Sequence, residues 1–348
     1  MCTASVQLKG AHEARLAARL RSSWAAVGSW MDSTLSSVRM ESIHKGPSNH
    51  KKEAVQAPAP ASAAGQASAT AAKVLRRMRA YVLSNGLPLS VGSVCWLWLE
   101  STRKDMGSAS DVAHMMLCQC FHLAAMVLIA HRFSRGRRRV VQPAKWWDMK
   151  SPHGLLVADM CSSWIVLHTL GTTLPSFSWS SLITFFAYRL LLMELVFDFL
   201  HYCMHRLCHE VPWLYVNIHK IHHNHHGNLH VGSTLQMHPV DGLLTNTLPL
   251  LMAVFLVPIA SHWEFHAYMA YKTAQELFGH CGVQIKVKSF PSNPWLVELL
   301  KIDLQVADHT MHHIDGRVNF GKRLSAWDRL FDTFKPASTL HEQKKNFQ

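Results

Sequence analysis

Apolar residues in this chain come in long runs instead of alternating with polar ones. Four such runs can be read before the first dense group of histidines, at about 85–99, 111–131, 154–174 and 181–200. The last three approach the ~20 residues that a helix needs to cross a bilayer. The first is short and ends at Glu100, so it is expected to tilt, to thin the bilayer or to extend back towards Tyr81. A fifth stretch, 243–260, carries Pro249 and Pro258. Prolines there favour a broken or re-entrant helix over a straight span. The segment from Glu264 to Gly279 would then return the chain to the side it left.

Charge orders these spans. The basic run KVLRRMR (73–79) precedes the first of them and places the N-terminal side in the cytosol. The loop between the second and third holds Arg132, Arg135, Arg137, Arg138, Arg139, Lys145 and Lys150, and is cytosolic by the same rule. The third and fourth are joined by the uncharged PSFSWS, a natural lumenal hairpin. Four crossings bring the chain back to the cytosol at Asp198–His201, where the histidine groups begin. The expected fold is therefore an all-α integral membrane protein. It has about four transmembrane helices plus a re-entrant or broken hairpin, with a cytosolic helical cap carrying the histidines.

Composition adds a head to this body. Residues 1–72 are rich in Ala, Ser and Gln, and APAPASAAGQASATAA has too little apolar surface to form a core. Residues 73–150 read as N-terminal membrane helices with a basic cytosolic loop, 151–336 as the domain that carries the histidine groups and 337–348 as a tail. Of the net charge of +13, +8 lies before residue 81. A basic balance can signal nucleic acid, but here it flanks apolar spans without a nucleic-acid module and reads as anchoring on an anionic membrane face. The head's Arg/Ser-rich AHEARLAARLRSS also fits an organellar transit peptide, plastid or mitochondrial, although a disordered cytosolic tail is the favoured reading. The eight cysteines are scattered with no C-x-x-C pair and read as buried thiols.

Candidate chemistry lies in the histidines, 16 of which fall between His201 and His313. Eight form three tight groups: His205 and His209 in HRLCH, His219, His222 and His223 in HKIHH, and His309, His312 and His313 in HTMHH. Spacings of three and four put each group on one face of a helix. Two of the groups share the spacing H-x-x-H-H, which core packing or surface decoration does not explain. Neutral imidazole is the commonest protein metal ligand, and eight would fill about four positions on each of two metals. No H-E-x-x-H occurs, which disfavours metalloprotease chemistry. Carboxylates are nearly absent from the groups, unlike the Glu-based soluble di-iron bundles. His225, His226 and His230 read as solvated or supporting histidines, and His262 and His266 as interfacial ones. Asp198, His238, Asp241, Asp303 and Asp308 are candidates to hold the ligand rings, and Arg206 to pair with Asp198 or a lipid phosphate.

The run HRLCHEVPWLYVNIHKIHH, followed by DHTMHHIDGRVNFGKRLSAWDRLFDTF, resembles the fatty acid hydroxylase/sterol desaturase superfamily of membrane-bound, histidine-box di-iron oxidoreductases. The resemblance covers roughly Leu155 to Pro336 and extends to QMHPVDG (His238), GHCG (His280) and the N-F-G…W-D-R-L-F tail. It implies two non-haem irons, with His280 joining the eight boxed histidines at or near the metals. It also implies O2-dependent hydroxylation or desaturation of a membrane lipid in the endoplasmic reticulum. Electrons would come from an external cytochrome b-type protein or reductase. HTMHH with NFG and WDRLF leans towards the sterol branch over the fatty acyl or alkyl-lipid hydroxylase branch. Asp332 departs from the glycine that many relatives carry before the Thr, which is expected to alter a local turn. A histidine-rich metal transporter is a rival of a different class. Transport sites, however, lie inside the spans, where ionisable residues are sparse here. A haem carrier using His114, His122, His131 and His168 would leave the three boxes unexplained.

Overall fold

Helices make up every regular element among the described residues, which are 63–102, 109–140, 151–170, 173–285 and 293–337 of a computed structural model. Strand-like pairing there is limited to two isolated antiparallel bridges, Arg139 with Val283 and Asp303 with Leu324. All of these residues belong to one unit, 61–348. Most of the expected head, Lys145 and Lys150 of the basic loop, and the tail from residue 338 lie outside the described residues.

The first helix, α1 (Ala63–Thr102), begins inside the segment expected to lack structure and carries the whole first apolar run. It is followed by α2 (Ala109–Ser134) and α3 (Gly154–Leu170). The fourth apolar run is divided among α4 (Trp179–Thr184), a π-helical turn at Phe185–Arg189, and α5 (Leu190–Glu210). Among the described residues, two helical runs are long and apolar enough to cross a membrane, Val112–Ser134 and Pro239–Leu256. The second lies where a break was expected.

That run passes continuously from α7 (Pro239–Gly242) through a π-helical turn at Leu243–Thr247 into α8 (Leu248–Leu256). Pro249 has no N–H to offer the carbonyl of Thr245 four residues back. The ring of His201, on α5, supplies a donor instead, with Nδ1 2.7 Å from that carbonyl. The wider π turn and this borrowed hydrogen bond together let the proline sit within the run. The helix stops at Leu256, just short of Pro258, as the restricted residue before a proline favours.

At the centre lies α9 (His262–Gly279), buried from His262 to Leu277 and packed against α1, α2 and α11 (Val306–Ile314). It starts where the Ser261 hydroxyl accepts the N–H of Glu264. Its buried charges are paired. Lys272 meets Asp159 of α3 at 2.9 Å and Glu276 at 2.8 Å, and Glu276 also meets Lys322 at 3.0 Å. Phe185, Phe197, Leu250, Phe265 and Tyr268 fill the core between α5, α8 and α9. Three shorter helices complete the fold: α6 (Pro212–Asn217), α10 (Pro294–Leu300) and α12 (Ala326–Leu330). A close contact between α7 and the start of α3 fixes the position of Asp241. A Cβ on Gly242 would lie 2.6 Å from the Gly154 carbonyl oxygen, so the contact requires glycine.

Candidate metal centre

Four segments deliver the histidines to one place. On α5, His201, His205 and Cys208 share the buried face with Glu194, Phe197 and Asp198, and His209 follows one turn after His205. HKIHH does not form the expected α-helical face; His219–His225 is a 3₁₀ helix entered from Ile218. His280 sits at the C-terminal cap of α9. On α11, which opens with a reciprocal Gln305–Asp308 capping box, His309, His312 and His313 are all buried.

The nine sequence-predicted histidines come together as two adjoining groups. One is His205, His209, His219, His223 and His312; the other is His222, His280, His309 and His313. Within each, one ring nitrogen per residue lies within 4.8 Å of all the others. The groups touch, with the rings of His223 and His313 4.6 Å apart. The repeated H-x-x-H-H spacing has a simple reading in this arrangement. In both boxes the residues at i and i+4 enter one group and the residue at i+3 enters the other. Box two sends His219 and His223 to the five-histidine group and His222 to the four-histidine group, while box three does the reverse.

Hydrogen bonds on the far side of the rings decide what the near side can do. Nδ1 of His205 faces the Phe320 carbonyl at 2.8 Å, that of His222 the Gln236 carbonyl at 2.9 Å, and that of His280 the Glu276 carbonyl at 2.9 Å. Nδ1 of His312 faces the Val318 carbonyl at 2.7 Å, and that of His219 the Asp241 carboxylate at 2.9 Å. A carbonyl or carboxylate oxygen only accepts, so each of these rings carries a proton on Nδ1, and a ring that is neutral then keeps a bare lone pair on Nε2. Yet Nε2 of His205 lies 3.2 Å from Nε2 of His219, and Nε2 of His222 lies 3.2 Å from Nε2 of His280. Facing lone pairs repel unless a cation sits among them.

A proton is a poor choice for that cation. Burial, reinforced by the neighbouring imidazoles, holds His205, His223, His280, His309 and His313 well below the usual histidine range. His222 is lowered to about 4 and His312 to about 3, chiefly by burial. Neutral imidazoles with converging lone pairs are the form that ligates metal. The buried Nε2 of His209, which has no hydrogen-bond partner, fits the same reading. The all-nitrogen donor set suits a transition metal such as Fe, Zn, Cu or Ni over Mg or Ca.

The supporting residues are partly as expected. Asp241 orients His219. The Asp198 carboxylate instead accepts the backbone N–H groups of Lys322, Arg323 and Leu324, and Asp308 accepts those of Gln305 and Ala337. Asp303 lies in the bridge to Leu324. His238 is not a support for a ligand ring; it caps α7 by accepting the Val240 N–H. Arg206 pairs with Glu210 at 2.6 Å and donates to Tyr202, not to Asp198. His225 and His230 pack against each other outside both groups, and His226 caps the 3₁₀ helix in a left-handed conformation. His262 and His266 are buried inside the bundle, where His262 meets Glu100 at 2.7 Å. An interfacial position had been expected for both. The carbonyls of Gln236, Glu276, Val318 and Phe320 leave no signal in the sequence, because any residue type supplies a carbonyl.

Residues 190–333 match the family model described as fatty acid hydroxylase. The chain is 31% identical over 159 residues to a fatty acid hydroxylase of Lecanicillium sp, covering 42% of each protein. It is 29% identical over 147 residues to cholesterol 25-hydroxylase-like protein 1, member 2, of Danio rerio, covering 40% of this chain and 48% of that one. It is also 29% identical over 157 residues to sphinganine C4-monooxygenase 1 of Arabidopsis thaliana, covering 44% and 56%. The chain thus spans about half the length of these curated relatives. No solved structure matches it. Residues 190–333, which carry all nine converging imidazoles, are thus the part of the chain that is similar to the fatty acid hydroxylase family.

Proposed function

We propose that this protein is a membrane-embedded, O2-dependent oxidoreductase that hydroxylates or desaturates a lipid, with two non-haem irons held by the nine grouped imidazoles. The observation that carries the reading is the convergence of Nε2 lone pairs into two adjoining buried groups. The similarity of residues 190–333 to the fatty acid hydroxylase family favours iron over the other metals that suit imidazole. When bound, such a pair of irons supplies the oxidising power, drawn from O2 and external electrons, that an unactivated C–H bond demands.

The chain's own residues hold, orient and shield. Asp241 and four backbone carbonyls keep protons on Nδ1, so that five Nε2 atoms stay available as donors. Burial of His222, His280, His309 and His313 keeps water from that half of the site, which favours attack on the bound lipid over side reactions. Hydroxylation and desaturation differ in which C–H bond lies nearest the oxidant, so positioning decides the outcome.

The outer surface supports a lipid setting. Phe255 is 75% exposed, Trp179 72%, Leu128 68% and Ile183 67%, a density of bare apolar side chains that suits hydrocarbon better than water. Four crossings, with 1–80, 132–150 and 201–240 on the cytosolic side of the endoplasmic reticulum, would let a soluble or membrane-tethered electron donor reach the histidine boxes. The relatives are named for fatty acid, cholesterol and sphinganine substrates, and the sequence motifs favour a sterol or related lipid within that range. Comparison of sterol, sphingolipid and fatty-acid fractions with and without the gene product tests this. A lipid that gains one oxygen or loses two hydrogens only when the protein is present is expected. Unchanged lipid fractions, from cells in which the protein is folded and supplied with a reductase, would refute the reading.

A further inference from the structure

The N-F-G…W-D stretch after the third box has no metal-binding side chain in either group, yet it meets the site twice through its backbone. The Val318 carbonyl takes Nδ1–H of His312, and the Phe320 carbonyl takes Nδ1–H of His205. Both histidines belong to the five-histidine group. The four-histidine group leans on Gln236 and Glu276 instead.

Side chains pin the stretch on three sides. The Asp328 carboxylate accepts the N–H groups of Phe320 and Gly321, each at 2.8 Å, and the Thr333 hydroxyl at 2.8 Å. Gly321 is required there, since a Cβ would fall 2.7 Å from the Asp328 carboxylate. Asn319, at a left-handed φ of 56°, donates to the carbonyls of Asp308 (3.0 Å) and Lys335 (2.7 Å) and accepts the Lys335 N–H at 2.8 Å. From α5, Asp198 holds the next three amides, Lys322 to Leu324. Asn319, Asp328 and Asp198 are all buried. A non-glycine residue in the left-handed region is uncommon, and it persists only where the surroundings over-determine it.

Resting on the metal-centre reading above, we propose that Asn319, Asp328 and Asp198 are positioning residues that lock the tautomers of His205 and His312. By fixing the Val318 and Phe320 carbonyls, they keep the proton of each ring on Nδ1 and present both Nε2 lone pairs to the metal of the five-histidine group. Loosening the stretch frees both rings to protonate Nε2 or rotate, and each then stops being a ligand. The loss falls on one metal of the two. Removing an outer hydrogen-bond partner of a metal ligand typically weakens the metal by about 10–100-fold.

The test is metal retained per chain by purified, detergent-solubilised protein dialysed against graded chelator, with thermal melting as the check on folding. Wild type should hold two metals through a chelator range in which Asp328→Ala holds one, with Asp328→Asn between them because its amide oxygen still accepts one N–H. Thr333→Val, which removes one bond to Asp328, should shift the same metal more mildly and serves if Asp328→Ala does not fold. Glu264→Gln, which perturbs an equally buried carboxylate bound by Ser181 and Ala260, should keep two. If the Asp328 and Thr333 variants held both metals as tightly as wild type, or lost both together as Glu264→Gln did, the lock would be overturned. A wild-type chain without tightly held metal would instead remove the reading on which the lock rests.

Discussion

At Asp332 the backbone takes a φ of 55°, a conformation in which a Cβ crowds the following carbonyl. That crowding costs roughly 1–2 kcal/mol for an L-residue, eased somewhat for Asp by local hydrogen bonding. Asp332→Gly would remove it, at a cost of about 0.4–1 kcal/mol from the freer unfolded chain. The relief exceeds the cost, so the variant should be more stable by about 0.5–1 kcal/mol and melt at a higher temperature. A lower melting temperature would show that the Asp side chain contributes a contact outweighing the strain. The family resemblance flagged this position by implying a glycine there, and the left-handed φ of Asp332 is a conformation that glycine adopts freely. Whereas the lone His280 entered only through the family resemblance, eight of the nine imidazoles were legible because histidines at three- and four-residue spacing are conspicuous side chains. Their carbonyl partners were not, since a backbone oxygen leaves no mark on residue type, and His238 and Arg206 found nearer partners than those expected for them.

The element scale explains why two boxes with one spacing serve two groups. Because i and i+4 go one way and i+3 the other, each H-x-x-H-H box stitches both groups, and box three reverses the assignment of box two. His222→Ala should therefore weaken the metal of the four-histidine group, and His312→Ala that of the five-histidine group. Each variant should cost most of the turnover while leaving the protein in the membrane. Metal analysis and activity of membrane fractions check this, and either variant keeping both metals and most of its turnover would remove that residue from the ligand set. Spacing alone predicted α-helix for both boxes, and box three is one, whereas box two is a 3₁₀ helix. The run through Pro249 is continuous across that proline, where a broken or re-entrant helix was expected. A proline's effect depends on whether another donor reaches the carbonyl it abandons, and His201 reaches it from α5, far away in sequence.

On the scale of the whole molecule, apolar helices surround the buried helix α9, and one cluster of histidines joins the ends of four segments. The all-helical character was legible in the long apolar runs. The buried pairing of Lys272 with Asp159 was not, because the two lie on different helices whose contact only the fold reveals. The proposed four-crossing arrangement would place the stretch 175–180 in the lumen. A glycosylation acceptor inserted there should be modified, and an unmodified acceptor with a modified one in 132–140 would invert the topology and the route proposed for the electron donor. The account as a whole turns on the metal centre. Its most direct test is elemental analysis of the purified, active, full-length protein, with turnover measured on the same sample. The account predicts close to two irons per chain, with activity lost on chelation and restored by ferrous iron. Active protein that contains zinc alone, or no tightly held metal, would contradict it.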